Sequence, residues 1–135
     1  MKSKVKGERG RPATEADMTT ARMAVVASSI AFGVEVEDVS SRRRCDERTT
    51  MSRQTAYWLM RKGALMPYTK IGNALMRDHA TALPGCRRID AEIELNLTGG
   101  YVDCIRRAAQ FFKEFQSAHK KREVARKKKE LEGVI

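Results

Sequence analysis

The stretch YTKIGNALMRDHATALPGCRRI, residues 68–89, predicts two short helices joined by a tight turn. In the first helix, Ile71, Ala74 and Leu75 recur at helical spacing and are expected to face inward. The second helix opens with polar side chains of the kind that contact base edges, and it carries a pair of arginines further on. This pattern is typical of a helix-turn-helix, whose second helix lies in the major groove of DNA.

Pro84 and Gly85 stand inside the second predicted helix, although proline lacks an N–H donor and glycine weakens a helix interior. A helix capped by Asp78 would place Pro84 at its sixth position, at a cost of about 3 kcal/mol. A helix capped by Thr81 would place Pro84 at its third position, where no intrahelical donor is needed. We therefore expect either a helix that begins near Ala82 or a kink at Pro84.

The N-terminal third of the chain predicts a helix followed by a short connecting segment. Thr14 is a suitable cap, acidic residues follow it, and Gly33 is a suitable end for the helix. Residues 33–41 alternate like a strand, but they equally fit a turn that leads into a brief helix from Val36 to Ser40. Either way, helices dominate the pattern, and we expect an all-α fold.

Two more helices complete this expectation. The first runs from about Ser52 to Lys62, with Thr49, Thr50 or Ser52 as its cap and Gly63 as its end. The other runs from about Tyr101 to near Glu132 after a break at 96–100. Its apolar face fades beyond His119, so its last part is expected to be exposed.

Charge and composition divide the 135 residues, whose net charge is +10, into three segments. Residues 1–13 are basic and poor in apolar side chains, which predicts a disordered, flexible arm. Residues 14–98 are expected to form the helix-turn-helix domain, and residues 99–135 a C-terminal helix with a basic tail. Within the domain, residues 42–88 hold eleven Lys and Arg against three acidic residues, a net of +8. Such clustering favours a polyanionic partner.

Several classes of protein are disfavoured by the sequence. The three cysteines, Cys45, Cys86 and Cys104, have no CxxC spacing, which disfavours a disulfide framework or a zinc site. The two histidines form no metal-binding or catalytic spacing. We expect no enzymatic activity, cofactor, metal or small-molecule substrate. The longest apolar run is too short to cross a bilayer, so we expect no membrane association and a cytoplasmic location.

Three segments together resemble a known family: GVEVEDVSSRRR, SRQTAYWLMRK, and the helix-turn-helix stretch with its Arg-Asp-His-x-Thr core followed by Cys-Arg-Arg-Ile. Over about residues 20–92 the chain is similar to the C-terminal DNA-binding domain of DnaA, the bacterial replication initiator. The resemblance implies a helical domain that recognises an asymmetric nine-base-pair element. The 135 residues contain no GxxxxGK[ST] phosphate-binding loop, so we expect DNA binding without the ATPase activity of the family.

The resemblance also implies which residues bind DNA. The residues implied to read bases in the major groove are Arg77, Asp78, His79 and Thr81. Ala80 stands where the family has a threonine. Insertion into the minor groove falls to Arg44, flanked by Arg42 and Arg43. Phosphate contacts are implied for Arg53, Gln54, Arg61, Tyr68 and Thr69. Beside them, we expect Lys62 and Lys70 to add affinity.

Both ends of the chain carry basic segments outside the resemblance. Arg9, Gly10, Arg11 and Pro12 are similar to the core of an AT-hook, which places arginine in a narrow A·T minor groove. An ordinary flexible basic arm is the alternative. The segment KKREVARKKK, residues 120–129, either contacts phosphates or another polyanion or is simply a solvated helix face.

The function that we predict from the sequence is sequence-specific binding of double-stranded DNA at DnaA-box-like sites, in control of replication initiation or of transcription. One alternative is a protein-interaction module that docks on a replication initiator, since Ala80 and Pro84 depart from the family's base-reading run. A second alternative is RNA binding through the basic surface.

Overall fold

The computed structural model describes residues 12–41, 46–75, 79–96 and 99–134. Within these ranges every regular element is a helix and there is no β-strand, which confirms the all-α prediction. The helices are α1 (Glu15–Phe32), α2 (Val36–Ser40), α3 (Glu47–Trp58), α4 (Tyr68–Ala74), α5 (His79–Leu95) and α6 (Val102–Val134), and a π-helical turn (Leu59–Gly63) continues α3.

Helix α1 begins and ends at the residues that the sequence indicates. The Thr14 hydroxyl accepts a hydrogen bond from the Asp17 amide at 3.1 Å, and the Asp17 carboxylate accepts one from the Thr14 amide at 3.1 Å. This reciprocal pair satisfies two donors that a helix start leaves open. At the other end Gly33 closes the helix at φ 69°, a left-handed conformation that glycine adopts without strain.

The two segments that follow differ in how well the sequence described them. Residues Val36–Ser40 form a short helix rather than a strand. Helix α3 begins at Glu47, so the predicted start at Ser52 is wrong. Asp46 is the cap, and its carboxylate accepts from the Thr49 amide at 2.8 Å. Thr49 and Ser52, which had been candidate caps, are instead buried in the core.

Helices α1 and α6 run antiparallel and pack along each other. At one end the rings of Phe32 and Tyr101 lie 5.8 Å apart. At the other end Glu15 and Thr19 of α1 line a groove together with His119 of α6. Residues 99–119 therefore share a core with the helix-turn-helix segment. The largest fully buried side chains come from six elements and include Phe32, Met51, Met60, Ile71, Ile89 and Phe112.

The described ranges contain neither a membrane-spanning helix nor a metal-binding group. There, no helix combines the length and the apolar character needed to cross a lipid bilayer. In the same ranges, no group of three or more His, Cys, Asp or Glu side chains is arranged to hold a metal ion. Cys86 is buried, and this burial raises the pKa of its thiol to about 11, as expected for a cysteine that only packs.

Candidate nucleic-acid interface

Helices α4 and α5 are consecutive and form the two helices of the helix-turn-helix. The inward face of α5 consists of Ala82, Cys86 and Ile89, all at most 1% exposed. Ile71 and Ala74 of α4 are buried as predicted, and Leu75 is half-buried. The opposite face of α5 is exposed and carries small, hydroxyl and basic side chains: Ala80, Thr81, Pro84, Arg87 and Arg88. We call these five residues the outer face of α5.

Helix α5 begins at His79 and continues through Pro84, so the expected late start near Ala82 is wrong. Pro84 is the sixth residue of the helix, the costlier of the two positions considered. Its ring belongs to the outer face of α5 and is exposed. The hydrogen bond that proline cannot donate therefore lies on the solvent side of the helix. Burial of Ala82, Cys86 and Ile89 favours the helical path on the other side.

Gly85 sits where α5 crosses α3. A Cβ at this position would lie 2.8 Å from Cδ2 of Tyr57 and 3.2 Å from Cγ of Gln54. Any larger side chain would thus push the two helices apart or displace the buried Tyr57 ring. The glycine that appeared to damage the helix interior allows α5 to pack closely on α3.

Arg61 connects the π-helical turn to the start of α4. Its Nη1 donates to the carbonyl oxygen of Met66 at 3.2 Å, and its guanidinium carbon lies 4.4 Å from the centroid of the Tyr68 ring. This is a favourable cation–π distance. Two residues predicted to contact phosphate, Arg61 and Tyr68, are therefore brought into contact and are half-buried together.

Arg53 also has a structural role that the sequence does not reveal. Its Nε donates to the carbonyl of Val39 at 2.9 Å, and its Nη2 donates to the carbonyl of Asp38 at 2.8 Å. These carbonyls belong to the last turn of α2, whose acceptors need partners. The guanidinium thereby fastens α2 to α3. Gln54 is the next residue, and its Oε1 is buried with no hydrogen-bond partner within the described ranges.

The N-terminal half of α4 lies beside the start of α1. Lys70 Nζ is 3.7 Å from the Asp17 carboxylate, and the Lys70 side chain is 42% exposed. Tyr68 and Thr69 precede Lys70 in the first turn of α4 and are half-buried. These three predicted contacts are consecutive residues of the first turn of α4, and we refer to them together as the strip at the start of α4. Lys62, in the π-helical turn, is 3.8 Å from the Asp90 carboxylate of α5.

Several predicted DNA contacts lie outside the described residues. These are Arg42, Arg43 and Arg44 of the basic loop, Arg77 and Asp78 of the turn, and Arg9, Gly10 and Arg11 of the arm; the side chain of His79 is also outside. Thr81 is exposed on the outer face of α5, and Pro12 is exposed at the start of the described chain. The predicted roles of all these residues stay predictions.

Two basic residues on the outer face of α5 were missed as candidates. Arg87 is exposed and lies seven residues after Ala80, so it shares the same helix face two turns later. Arg88 is also exposed and pairs with Glu47 at 3.3 Å. The sequence does carry a signal for both, because Arg87 and Arg88 lie seven residues, or two helical turns, after Ala80 and Thr81.

Comparison with known proteins agrees with this arrangement. Residues 23–89 match the family model described as bacterial dnaA protein helix-turn-helix. The chromosomal replication initiator proteins DnaA of Chloroflexus aggregans and of Chloroflexus aurantiacus strain J-10-fl are each 38% identical to this chain over 63 residues. The aligned region is 46% of this chain, and the chain covers 13% of each relative. The family match ends within α5 and does not include α6.

Proposed function

Residues 23–89 of this chain belong to the bacterial DnaA helix-turn-helix family, and on this basis we propose that the protein binds duplex DNA at DnaA-box-like sites. The bound sites control replication initiation or the transcription of adjacent genes. Both roles rest on occupation of a DNA site by the helix-turn-helix and require no chemistry by the protein.

The observation that carries the proposal is the division of α5 into two faces. Ala82, Cys86 and Ile89 hold the helix on the core, while the outer face of α5 is exposed. A helix that presents one exposed face and is held by the other can enter the major groove, which is about 12 Å wide. In this arrangement the base edges are contacted by the residues around the N-terminus of α5, namely Arg77, Asp78, His79 and Thr81.

The residues around α5 supply the contacts that fix its position on the duplex. The strip of Tyr68, Thr69 and Lys70 at the start of α4, with Arg61 stacked on Tyr68, faces the phosphate backbone. Arg53 and Gln54 of α3 add to this, while Arg42, Arg43 and Arg44 approach the minor groove. Phosphate contacts set register and affinity, whereas base contacts set sequence preference. The arm residues Arg9 to Pro12 add a minor-groove contact in A·T-rich sequence.

The test is an electrophoretic shift experiment with the full chain and a duplex that contains one DnaA box. A scrambled duplex of equal length and composition and a single-stranded RNA serve as competitors. We expect the box duplex to compete better than the scrambled duplex, with a ratio on the order of 10³ at physiological salt. The salt concentration is held constant throughout because the phosphate contribution depends on it.

Three results would contradict this function. Equal competition by scrambled DNA would exclude sequence reading. Stronger competition by RNA would favour the RNA-binding alternative. Failure to bind either nucleic acid, with capture of a replication initiator protein instead, would favour a docking module.

A further inference from the structure

Residues 120–134, the last fifteen of α6, extend past the part of the helix that packs on α1, and we call them the α6 extension. Near its start, Glu123 and Arg126 still line a groove with Glu15 and Thr19 of α1. Residues 102–119 run along the whole of α1, from the Phe32–Tyr101 ring pair to the groove at Glu15 and His119. At 1.5 Å per residue the extension continues for about 22 Å. Of residues 120–133, all are exposed except Glu123.

The extension is strongly basic, and its acidic residues are largely neutralised from within. It contains seven Lys and Arg against three Glu. Arg126 donates to Glu123 and to Glu130 at 2.8 Å each. This hydrogen bonding lowers the pKa of Glu123 and raises that of Arg126. Such pairs one turn apart also support the helix where no other element packs on it.

Six cations of the extension form no ion pair with any residue in the described ranges: Lys120, Lys121, Arg122, Lys127, Lys128 and Lys129. They lie on both sides of the Glu123–Arg126–Glu130 line. An exposed helix with this many unpaired cations carries a local potential that attracts a polyanion.

The extension leaves the bundle at the N-terminal end of α1, which is also the end that Lys70 of α4 contacts. At the N-terminal end of α1, Asp17 contacts Lys70 of α4 at 3.7 Å. Within a turn of Asp17, Glu15 and Thr19 face His119 and Arg126 of α6. The basic helix therefore starts at the same end of α1 as the strip formed by Tyr68, Thr69 and Lys70.

We propose that the α6 extension binds the phosphates of duplex DNA next to the site that the helix-turn-helix recognises. This inference rests on the proposed function. Its length of about 22 Å spans about six base pairs at 3.4 Å each. The contact is independent of sequence and adds affinity without changing the preferred site.

The apolar content of the extension disfavours two other partners. Its large exposed apolar side chains, Val124 at 60% and Leu131 at 68%, are one heptad apart. A coiled coil with a second copy needs apolar residues at two positions of every heptad over several heptads. Insertion into a membrane surface needs a broad apolar face. Phosphate binding needs neither.

The experiment compares the full chain with a variant in which the six unpaired cations are replaced by glutamine. Two duplexes are used: one that ends at the borders of the DnaA box, and one with ten further base pairs on each side. Affinity is measured over a series of salt concentrations. On the long duplex we expect the variant to lose at least ten-fold in affinity and the slope of log K against log salt to fall by about 3. On the short duplex we expect changes of less than three-fold.

A matched pair of double variants separates the extension from net charge. Lys127→Gln with Lys128→Gln removes two charges from the extension, and Arg107→Gln with Lys113→Gln removes two exposed charges from the part of α6 that packs on α1. Only the first pair is expected to reduce the salt slope on the long duplex. Val124→Ala with Leu131→Ala should change neither affinity nor slope. Circular dichroism checks that helix content is kept.

The inference is overturned if the six-residue variant keeps the slope of the full chain on the long duplex. It is also overturned if both duplexes lose affinity equally, if the Arg107 and Lys113 control has the same effect, or if the apolar variant alone weakens binding. The proposed function fails by a different result: loss of preference for the DnaA box over scrambled DNA in the unaltered chain. The salt slopes of the full chain and the six-residue variant on the long duplex can be compared whether or not the unaltered chain prefers the DnaA box.

Discussion

Gly85 of α5 and Tyr57 of α3 are in such close contact that a Cβ at residue 85 would lie 2.8 Å from the Tyr57 ring. Tyr57 is 3% exposed and has little room to move. The spacing between α5, the proposed recognition helix, and α3, which supports it, is therefore set by the absence of a side chain.

The first prediction concerns this contact. Gly85→Ala should lower the free energy of unfolding by up to about 2 kcal/mol, because overpacking costs about 1–3 kcal/mol and the gain in helix propensity returns about 1 kcal/mol. Urea denaturation measures the change. Gly133→Ala is the matched control, because nothing lies within 4 Å of a Cβ there, and it should be neutral or slightly stabilising. A stabilising effect at Gly85 would mean that the ring yields easily.

The second prediction concerns Pro84. Pro84→Ala should raise the free energy of unfolding by about 2 kcal/mol, because a proline inside a helix costs about 3 kcal/mol through its missing hydrogen bond and its ring clash, while the unfolded chain gains some freedom when the ring is removed. Because Pro84 is exposed, the substitution removes no core packing that would offset this gain. Urea denaturation again provides the measurement. Unchanged or reduced stability would show that the proline is compensated within α5.

The third prediction separates base reading from phosphate binding. Arg77→Ala should cost about 1–3 kcal/mol on the cognate site and relax sequence preference there. Arg87→Ala should weaken cognate and scrambled duplexes by the same factor and reduce the salt slope by about 1. Competition binding at two salt concentrations distinguishes them. Equal loss on all sequences with Arg77→Ala would exclude base reading by Arg77.

The fourth prediction concerns Arg53, which bonds the carbonyls of Asp38 and Val39. Arg53→Lys keeps the positive charge but cannot reproduce the fork of two donors. We expect the free energy of unfolding to fall by about 1–2 kcal/mol. Thermal or urea unfolding measures this fall. If stability is unchanged while DNA affinity drops, the guanidinium acts on DNA rather than on α2.

The fifth prediction concerns pH. The Asp46 carboxylate accepts hydrogen bonds from Thr49, and these bonds hold the pKa of Asp46 below its usual 3.8. A pKa that is lower in the folded state adds stability that is present above the unfolded value and is lost as pH falls through the folded one. Asp46→Asn keeps a capping side chain without the charge. The stability difference between the two proteins should thus be constant near neutral pH and shrink below about pH 4. A difference that does not change with pH would exclude this role of the charge.

Local chemistry explains which elements were predictable. Each end of α1 depends only on residues within four positions of it: Thr14 at the start and Gly33 at the finish. Both ends can therefore be predicted from the local sequence. The start of α3 was misplaced because Thr49 and Ser52 are as suitable for capping as Asp46 is. Only their burial in the core shows that they do not cap the helix.

The helix-turn-helix itself was predictable from spacing, but its details were not. The spacing of Ala82, Cys86 and Ile89 indicates one buried face, and the same spacing identifies the outer face of α5. The start of α5 at His79 depends on a balance between the cost of Pro84 and the burial of that apolar face on α3, which involves residues distant in sequence.

The sequence by itself determined the all-α class and the helix-turn-helix, because helical periodicity and caps are local properties. Its resemblance to DnaA implied the DNA-contacting residues, which stay predictions. Only the tertiary structure decided that Arg53 fastens α2, that Arg61 stacks on Tyr68, that Gly85 admits Tyr57, and that the α6 extension starts at the same end of α1 that Lys70 contacts. Each of these relationships joins residues from different elements. Packing, which no short stretch of sequence encodes, determines the distance between them.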